Sequence, residues 1–491
     1  MNDWMKQAVL VAAVECRLHM SGTFWRILLV LSAVLAATMT FANLRDYSRR
    51  QSEADILVAR RDAATEDGQH TVTGFQRDEA LRVIRNPTAL SVAVTGLDRH
   101  MPQYWDFGPE GMTAGAPGPE KQAASVAGAD LDLEFILRGL IGMMALAAGV
   151  ASMVTSKHGA TAKSLVALPV RPSALIVGAM VGGTVAAAVA SAVVVASSMA
   201  TFLAGARTLV SPDGVSTLVA LWLAATLYGG ALVGTGAVIA LTASNISRAV
   251  ACMTVFWLGT TTIAGPVISA MADMITPNRS RALFETARNS EYEDAITTVE
   301  SDAGEIVLRQ PGTNDIPREF ILDGALIDAV GQHWDRRMMV LRAELDKLES
   351  DFRDSERTRA ALAWWLANIL PGTAFGYSAT ELAGVGESNE RRWTEAAQAY
   401  HRALSMAVFD AKPRLHMRVP AGSGYRVLFH DRATRSTVQN LPAFRQHAAM
   451  LLMRFRDAVP SLVSLVVQGT AIWILAIAIF VRRQSSVSGW R

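Results

Sequence analysis

The stretch Ala174-LIVGAMVGGTVAAAVASAVVVASSMATF-Leu203 contains no Asp, Glu, Lys or Arg. A helix rises 1.5 Å per residue, so about 20 apolar residues cross a hydrocarbon core of roughly 30 Å. This run is long enough to do so. Five more runs of the same character begin at Phe24, Phe135, Thr217, Ala249 and Leu462, and end at Leu44, Thr155, Thr242, Met271 and Val481. Six membrane-spanning helices and a mainly α fold are therefore expected. The first run is the least apolar, with Ser32, Thr38 and Thr40 inside it.

The totals agree. Apolar residues make up 51% of the chain and charged residues 18%, against about 25% charged in soluble domains. The net charge of +2 provides no basic field for nucleic acid. The two cysteines, Cys16 and Cys252, lie outside the long hydrophilic stretches, so those stretches cannot form internal disulfides. The mixed-charge residues before Ile27 and the Phe41-Ala-Asn-Leu-Arg45 that ends the first run read as a retained span rather than a cleaved signal.

Loop charges predict the orientation. One side collects Lys6, Arg17, Arg26, Lys157, Lys163, Arg171, Arg248, Arg482, Arg483 and Arg491 against Asp3 and Glu15. That side is expected to be cytoplasmic, with both termini on it, in a bacterial inner membrane. The division is then 1–44 (interfacial helix and first span), 45–134 (first extracytoplasmic segment), 135–271 (spans two to five), 272–461 (second extracytoplasmic domain) and 462–491 (sixth span and tail). Both insertions are expected to be largely helical. Gly178-Ala-Met-Val-Gly182 and Gly230-Ala-Leu-Val-Gly234 are small-xxx-small patterns that let helices approach closely, read here as packing within the chain. Arg138, the one basic residue near a span interior, has Glu134 four residues before it on the same face; pairing or snorkelling is expected, and contact with a substrate is the sharper alternative.

On the cytoplasmic side, Trp4 to His19 reads as an amphipathic helix along the membrane surface. Leu10, Val11, Val14 and Leu18 are its apolar positions, and Lys6, Glu15 and Arg17 its polar side. The loop 156–172 reads as a polar turn, a short helix from Thr161 to Leu168 ended by Pro169, and Pro172 near the start of span three.

These residues carry a resemblance. Gly159-x-Thr161-x-x-x-Leu165, then Leu168-Pro169-Val170-Arg171 and Gly178, resemble the second-to-third span loop of type-2 ABC transporter permeases. Two positions depart: Ser156-Lys157-His158 replaces that family's acidic-basic-acidic run, and Ala179 its Lys. Glu15-x-Arg17 is similar to its N-terminal interfacial helix. In the second insertion, Leu366-Ala-Asn-Ile-Leu-Pro-Gly-Thr-Ala-Phe375, Glu381-Leu-Ala-Gly384, Arg391-Arg-Trp393 and Leu441-Pro-Ala-Phe444 resemble a subfamily with large extracytoplasmic segments after spans one and five, as does Asn86-Pro87 in the first. The resemblance implies a permease subunit driven by separate ATP-binding subunits, with Glu15, Arg17, Lys157, Gly159, Thr161, Leu165, Pro169 and Arg171 coupling to them. It also implies export and pairing with a second copy or second permease.

Elsewhere, Ala54, Leu57, Val58 and Arg61 continue span one outward as a helix. Gly108 to Ala129 reads as loop. Met338, Leu341, Leu345, Leu348 and Phe352 form the seam of a long helix, Leu370-Pro-Gly372 breaks it, and Glu390 to Phe409 is helical again. No phosphate-binding glycine loop, zinc motif or nucleophile elbow is present in the sequence. His401, His416, His430 and His447 have no metal-ligand spacing. No catalytic, cofactor or metal residue is therefore assigned, and lipid is the expected surrounding. A non-transporting membrane anchor or mechanotransmitter for cell-envelope partners is the alternative reading.

Overall fold

The computed structural model describes residues 3–67, 82–99, 101–108, 111–114, 131–157, 171–205, 212–276, 281–308, 319–321, 324–410, 416–418, 444 and 450–488. Six helices are long and apolar enough to cross a membrane, and each contains one of the six apolar runs. Span one lies in α2 (Thr23–Asp67) and span two in α3 (133–157). Spans three and four are α4 (Pro172–Gly205) and α5 (Pro212–Thr242). Span five is α6 (246–275) and span six α11 (Leu451–Ser488). Pro172 and Pro212 begin their helices, where a missing N–H costs nothing.

Spans two, three and four form the centre, each burying more than half of its most apolar stretch, whereas spans one, five and six bury far less. The centre is tight because small residues face one another. A Cβ placed on Gly236 of α5 would collide with the Leu146 carbonyl oxygen of α3, and one on Gly149 with the Val233 carbonyl oxygen. Backbone-to-backbone packing of this kind replaces the hydrophobic drive that lipid removes. Indole N–H groups tie the helices together: Trp222 of span four donates to the Ala188 carbonyl of span three at 2.9 Å, and Trp473 of the outer span six to the Gly230 carbonyl of span four at 2.8 Å.

α2 does not stop at the bilayer. It is one helix of 45 residues, roughly 68 Å long, as the continuation through Ala54 to Arg61 requires. The first insertion then departs from expectation. It contains a three-stranded antiparallel sheet, β1 (Val83–Ile84), β2 (Tyr104–Gly108) and β3 (Gly111–Ala114), ordered β1-β2-β3. β3 lies within the stretch read as loop; residues 109–110 and 115–130 lie outside the described residues. The reason is an alternation hidden by its shortness: Trp105 and Phe107 point into a core while Asp106 between them faces Arg82 at 2.8 Å.

The second insertion is helical, apart from a two-stranded pairing of β4 (Glu319–Ile321) with β5 (His416–Arg418). α7 (Arg281–Leu308) and α8 (Gly324–Ala367) form an antiparallel-type hairpin. Leu341 is buried and Phe352 stacks on Phe284 at 4.5 Å, which makes the 3–4 stripe a packing seam. The chain breaks at Asn368–Leu370. α9 (Pro371–Ala383) starts with its proline at the first helical turn and ends at Gly384, whose φ of 71° is the left-handed cap that glycine tolerates. α10 (Glu387–Asp410) follows.

The two insertions form one body. Trp105 of β2 packs on Trp393 of α10 with ring centroids 3.8 Å apart, and Phe107 stacks on His401 at 5.7 Å. Asp98, its side chain 1% exposed, binds Arg50 of α2 at 2.7 Å and Arg85 at 3.1 Å. Arg85 continues to Glu390 of α10 at 3.0 Å. The Leu97 N–H donates to the Val385 carbonyl at 2.9 Å.

Candidate functional site

Two places in the span bundle concentrate polar chemistry. The first is the end that carries the termini. Here α1 (Asp3–Ser21) lies against α4, and the Gly178-xxx-Gly182 pattern is its seat. Cβ atoms there would come within 2.6 Å of the Ala8 and Ala12 carbonyl oxygens. The Trp4 indole donates to Ser173 Oγ at 3.1 Å, and the Arg171 N–H to Gln7 Oε1 at 3.2 Å. The helix is present, but its polarity differs from expectation. Leu10, Val14 and Leu18 are exposed, as lipid-facing positions would be, whereas Glu15 turns inward. Glu15 accepts a hydrogen bond from Ser152 Oγ at 3.1 Å, and the same hydroxyl lies 3.3 Å from His19 Nε2.

Of the eight residues read as coupling positions, the structure gathers those that flank the loop. Lys157 ends α3. Arg171 precedes α4 and is held against the first turns of α1. Arg17 is exposed and Glu15 half-buried. Gly159, Thr161, Leu165 and Pro169, with the short helix expected at Thr161 to Leu168, lie outside the described residues.

Burial pushes the His19 imidazole below its ordinary 6.5. It also pushes the Glu15 carboxyl above 4.5, against the opposing effect of the Ser152 hydrogen bond. The signs follow from linkage. The His19 contribution to α1 docking is present above 6.5 and is lost as pH falls through its lowered value. The Glu15 contribution is greatest below 4.5 and is lost as pH rises through its raised value. On acidification from neutrality the two contributions oppose: loss of the His19 contribution loosens α1, and return of the Glu15 contribution tightens it. In Glu15→Gln, where the His19 contribution acts alone, amide exchange over residues 3–21, corrected for intrinsic rates, should be faster at pH 5.5 than at 7.5. Equal protection at the two values, or the same pH dependence once His19→Asn is added, would contradict this.

The second place lies deeper, near the end that carries the insertions. Arg138 pairs with Glu134, Nε to Oε1, at 3.1 Å. The pair does not snorkel. α9 sits over it, with a Cβ on Gly376 falling 3.1 Å from Glu134 Oε1. Arg138 belongs to a π-helical turn, Leu137–Ile141. Such a turn shifts the hydrogen-bond ladder and turns carbonyls outward. Two side chains from other spans take them up: Tyr228 Oη donates to the Arg138 carbonyl at 3.0 Å, and Trp257 Nε1 to the Gly139 carbonyl at 2.8 Å. Tyr228 in turn stacks on Phe375 of α9 at 5.0 Å. Span five has its own π turn at Gly259–Ile263, where Thr260 and Thr261 return hydroxyls to carbonyls of the preceding turn. The break that leads into α9 is also tied to span six, since the Asn368 carbonyl accepts from Ser464 Oγ at 2.8 Å and from Gln468 Nε2.

Sequence reasoning named Glu134 and Arg138 but missed Tyr228, Trp257 and α9. The two aromatics were the available signal, because a buried indole or phenol inside a span needs an acceptor. Among the described residues no group of three or more metal-ligating side chains comes together.

No curated protein and no solved structure matches the chain. A family model described as ABC-2 family transporter protein matches residues 19–311. That stretch covers spans one to five and the α2 extension and is more than half of the chain. The chain therefore belongs to the ABC-2 transporter family: it is a multi-pass membrane permease component of an ABC transporter, and it works with an ATP-binding subunit.

Proposed function

We propose that this permease is an exporter subunit in a bacterial inner membrane, with both termini cytoplasmic and both insertions outside. ATP-binding subunits dock on the face made by α1 and the 157–171 connection. The observation that carries this reading is the seating of α1. It is bonded to residues 171 and 173 at one end of the connection and to Ser152 near the other. A displacement of that loop would thus reach spans two and three together. Membership of a family with large outer segments after spans one and five is supported by the placement of both insertions at one end of the bundle. The little-covered faces of spans one, five and six suit lipid on one side and a second copy or second permease on the other.

Deleting residues 157–171 should abolish stimulation of the partner ATPase and substrate movement while leaving the spans inserted. Co-purification with the partner and ATPase assays in vesicles read this out; unchanged stimulation would remove the docking assignment. A second reading, force transmission without transport, is favoured by one feature. α2 runs unbroken from the bilayer to the buried Arg50–Asp98–Arg85–Glu390 chain. Sealed vesicles separate the two readings: ATP-dependent movement of substrate supports export, and ATP hydrolysis without movement supports transmission.

A further inference from the structure

Between Arg359 and Glu381 the chain carries no charged side chain, although this stretch belongs to the second insertion. It comprises the end of α8, the break at Asn368–Leu370 and most of α9. The break and the start of α9 touch three spans at mid-height. A Cβ on Gly372 would lie 3.3 Å from the Thr260 carbonyl oxygen of span five. Thr260 is about 18 Å along the helix from Arg248 and about 20 Å from Asp273, the charged residues on either side of it. Gln468 of span six, which holds the Asn368 carbonyl, is about 16 Å from Asp457 and about 21 Å from Arg482. Phe375 stacks on Tyr228, within a residue of the midpoint of α5. From this level both arms return to the insertion end. Arg359, about 14 Å back along α8, pairs with Asp273 in the last turn of α6 at 2.5 Å. Gly384, at the far end of α9, lies against Arg454 near the start of α11.

We propose that residues 360–383 form a re-entrant helical hairpin that enters the leaflet on the insertion side between spans five and six and presents Ala361, Trp365 and Ile369 to its acyl chains. The exposed residues change character at Arg359. Before it, those of α8 include Asp351, Asp354, Arg357 and Thr358. After it, as far as Gly384, they are Ala361, Trp365 and Ile369 alone, one apolar stripe at four-residue spacing. The helices on either side expose the same kind of surface: Ile263 and Val267 of span five and Val463 and Val467 of span six are 46–61% exposed. The depth fits as well, since the roughly 14 Å from Arg359 to Asn368 is about half of a 30 Å hydrocarbon core. Carbonyls freed at the break are taken by side chains. Thr373 Oγ1 donates to those of Ala367 and Leu370, beside the two donors on Asn368. Non-helical backbone within a bilayer is tolerated where protein buries it in this way. The arms divide the work. The end of α8 packs on Ala264 and Ile268 of span five through Ala363 and Ala367, with its stripe toward lipid. α9 exposes none of its residues and lies between that arm and the Glu134–Arg138 pair. The hairpin is the same whichever way transport runs.

The test uses the full-length protein in nanodiscs, with Cys16→Ser and Cys252→Ser as background and single introduced cysteines carrying a bimane fluorophore. Ile369→Cys probes the tip of the hairpin, Val467→Cys the lipid-facing side of span six, and Thr358→Cys the water-facing part of α8. Phospholipid spin-labelled deep in its acyl chain should quench Ile369→Cys and Val467→Cys alike within about twofold, and about fivefold or more above Thr358→Cys, because the bilayer core holds no water. Aqueous iodide should give the reverse order. Trp365→Cys, about 6 Å shallower than Ile369, should be quenched more by a spin label near the ester, and Ile369→Cys more by the deep one. A patch that only touches the membrane surface would not show that order. Iodide quenching at Ile369 equal to that at Thr358, or no difference in depth between residues 365 and 369, would overturn the hairpin. Resistance of Ile369→Cys to both quenchers would overturn the lipid contact, and disulfide-linked dimers of the unlabelled variant would then assign the stripe to a second copy.

Discussion

Asp98→Ala should destabilise the insertion body by about 3–5 kcal/mol, the range for removing one partner of a buried ion pair. Asp98 is the only carboxylate bonded to both Arg50 and Arg85 among the described residues, and both guanidiniums are 5% exposed. Its removal leaves two cations facing each other in a site from which water is excluded. Asp46 and Glu390 still hold one arginine each, at 3.1 and 3.0 Å, so the body should loosen rather than dissolve. The measurement is amide exchange over Tyr104–Gly108 and the Trp105–Trp393 contact, with the spans as an internal control. Asp98→Asn, which retains the acceptor but not the charge, should fall between. A change below about 0.5 kcal/mol, the level of an ordinary surface substitution, would mean that the network is dispensable.

Gly236→Ala should do comparable damage inside the bilayer with a single methyl group. The added carbon would strike the Leu146 carbonyl oxygen and lie 3.0 Å from the Val150 nitrogen. These are backbone atoms, so no rotamer change relieves them, and α3 and α5 must move apart along their contact. Overpacking typically costs about 1–3 kcal/mol even where side chains can adjust, so the cost here should reach or exceed the upper end. Gly149→Ala meets the Val233 carbonyl oxygen in the same way and should behave alike. Gly139→Ala is the control, because nothing lies within 4 Å of its added carbon. The temperature of thermal aggregation in detergent should drop for the first two variants only. If Gly236→Ala is as stable as Gly139→Ala, the close approach of the two helices is wrong.

Much of this architecture was legible before the structure because it rests on local rules. An uncharged run such as Ala174 to Leu203 has one stable solution in lipid, a helix. Pro371 can end α8 and start α9 because it lacks an N–H, and the Leu341–Phe352 stripe fits only one face of a helix. The Glu134–Arg138 pair was visible for the same reason, being four residues apart on one turn-and-a-bit of helix. Features that depend on distant partners were not. The inward turn of Glu15 requires Ser152, and the place of α9 over Glu134 requires Tyr228 and span six. Strand β2 held a readable clue: Trp105 and Phe107 alternate with polar neighbours just before Gly108-Pro-Glu-Gly111. Beyond the local strand β3, however, its partners are two residues of β1 and a helix near the other end of the chain.

The interlocking of the insertions also has a temporal consequence. Arg85 and its partner Glu390 are 305 residues apart in the chain. At synthesis rates of about 5–20 residues per second, the first insertion waits roughly 15–60 s for the helix that completes its core. During that interval Trp105, Phe107 and the Arg85 guanidinium are present while four more spans are still being made. The nascent first insertion is thus a natural client for a holding chaperone, and its vulnerability to proteolysis should end when α10 arrives.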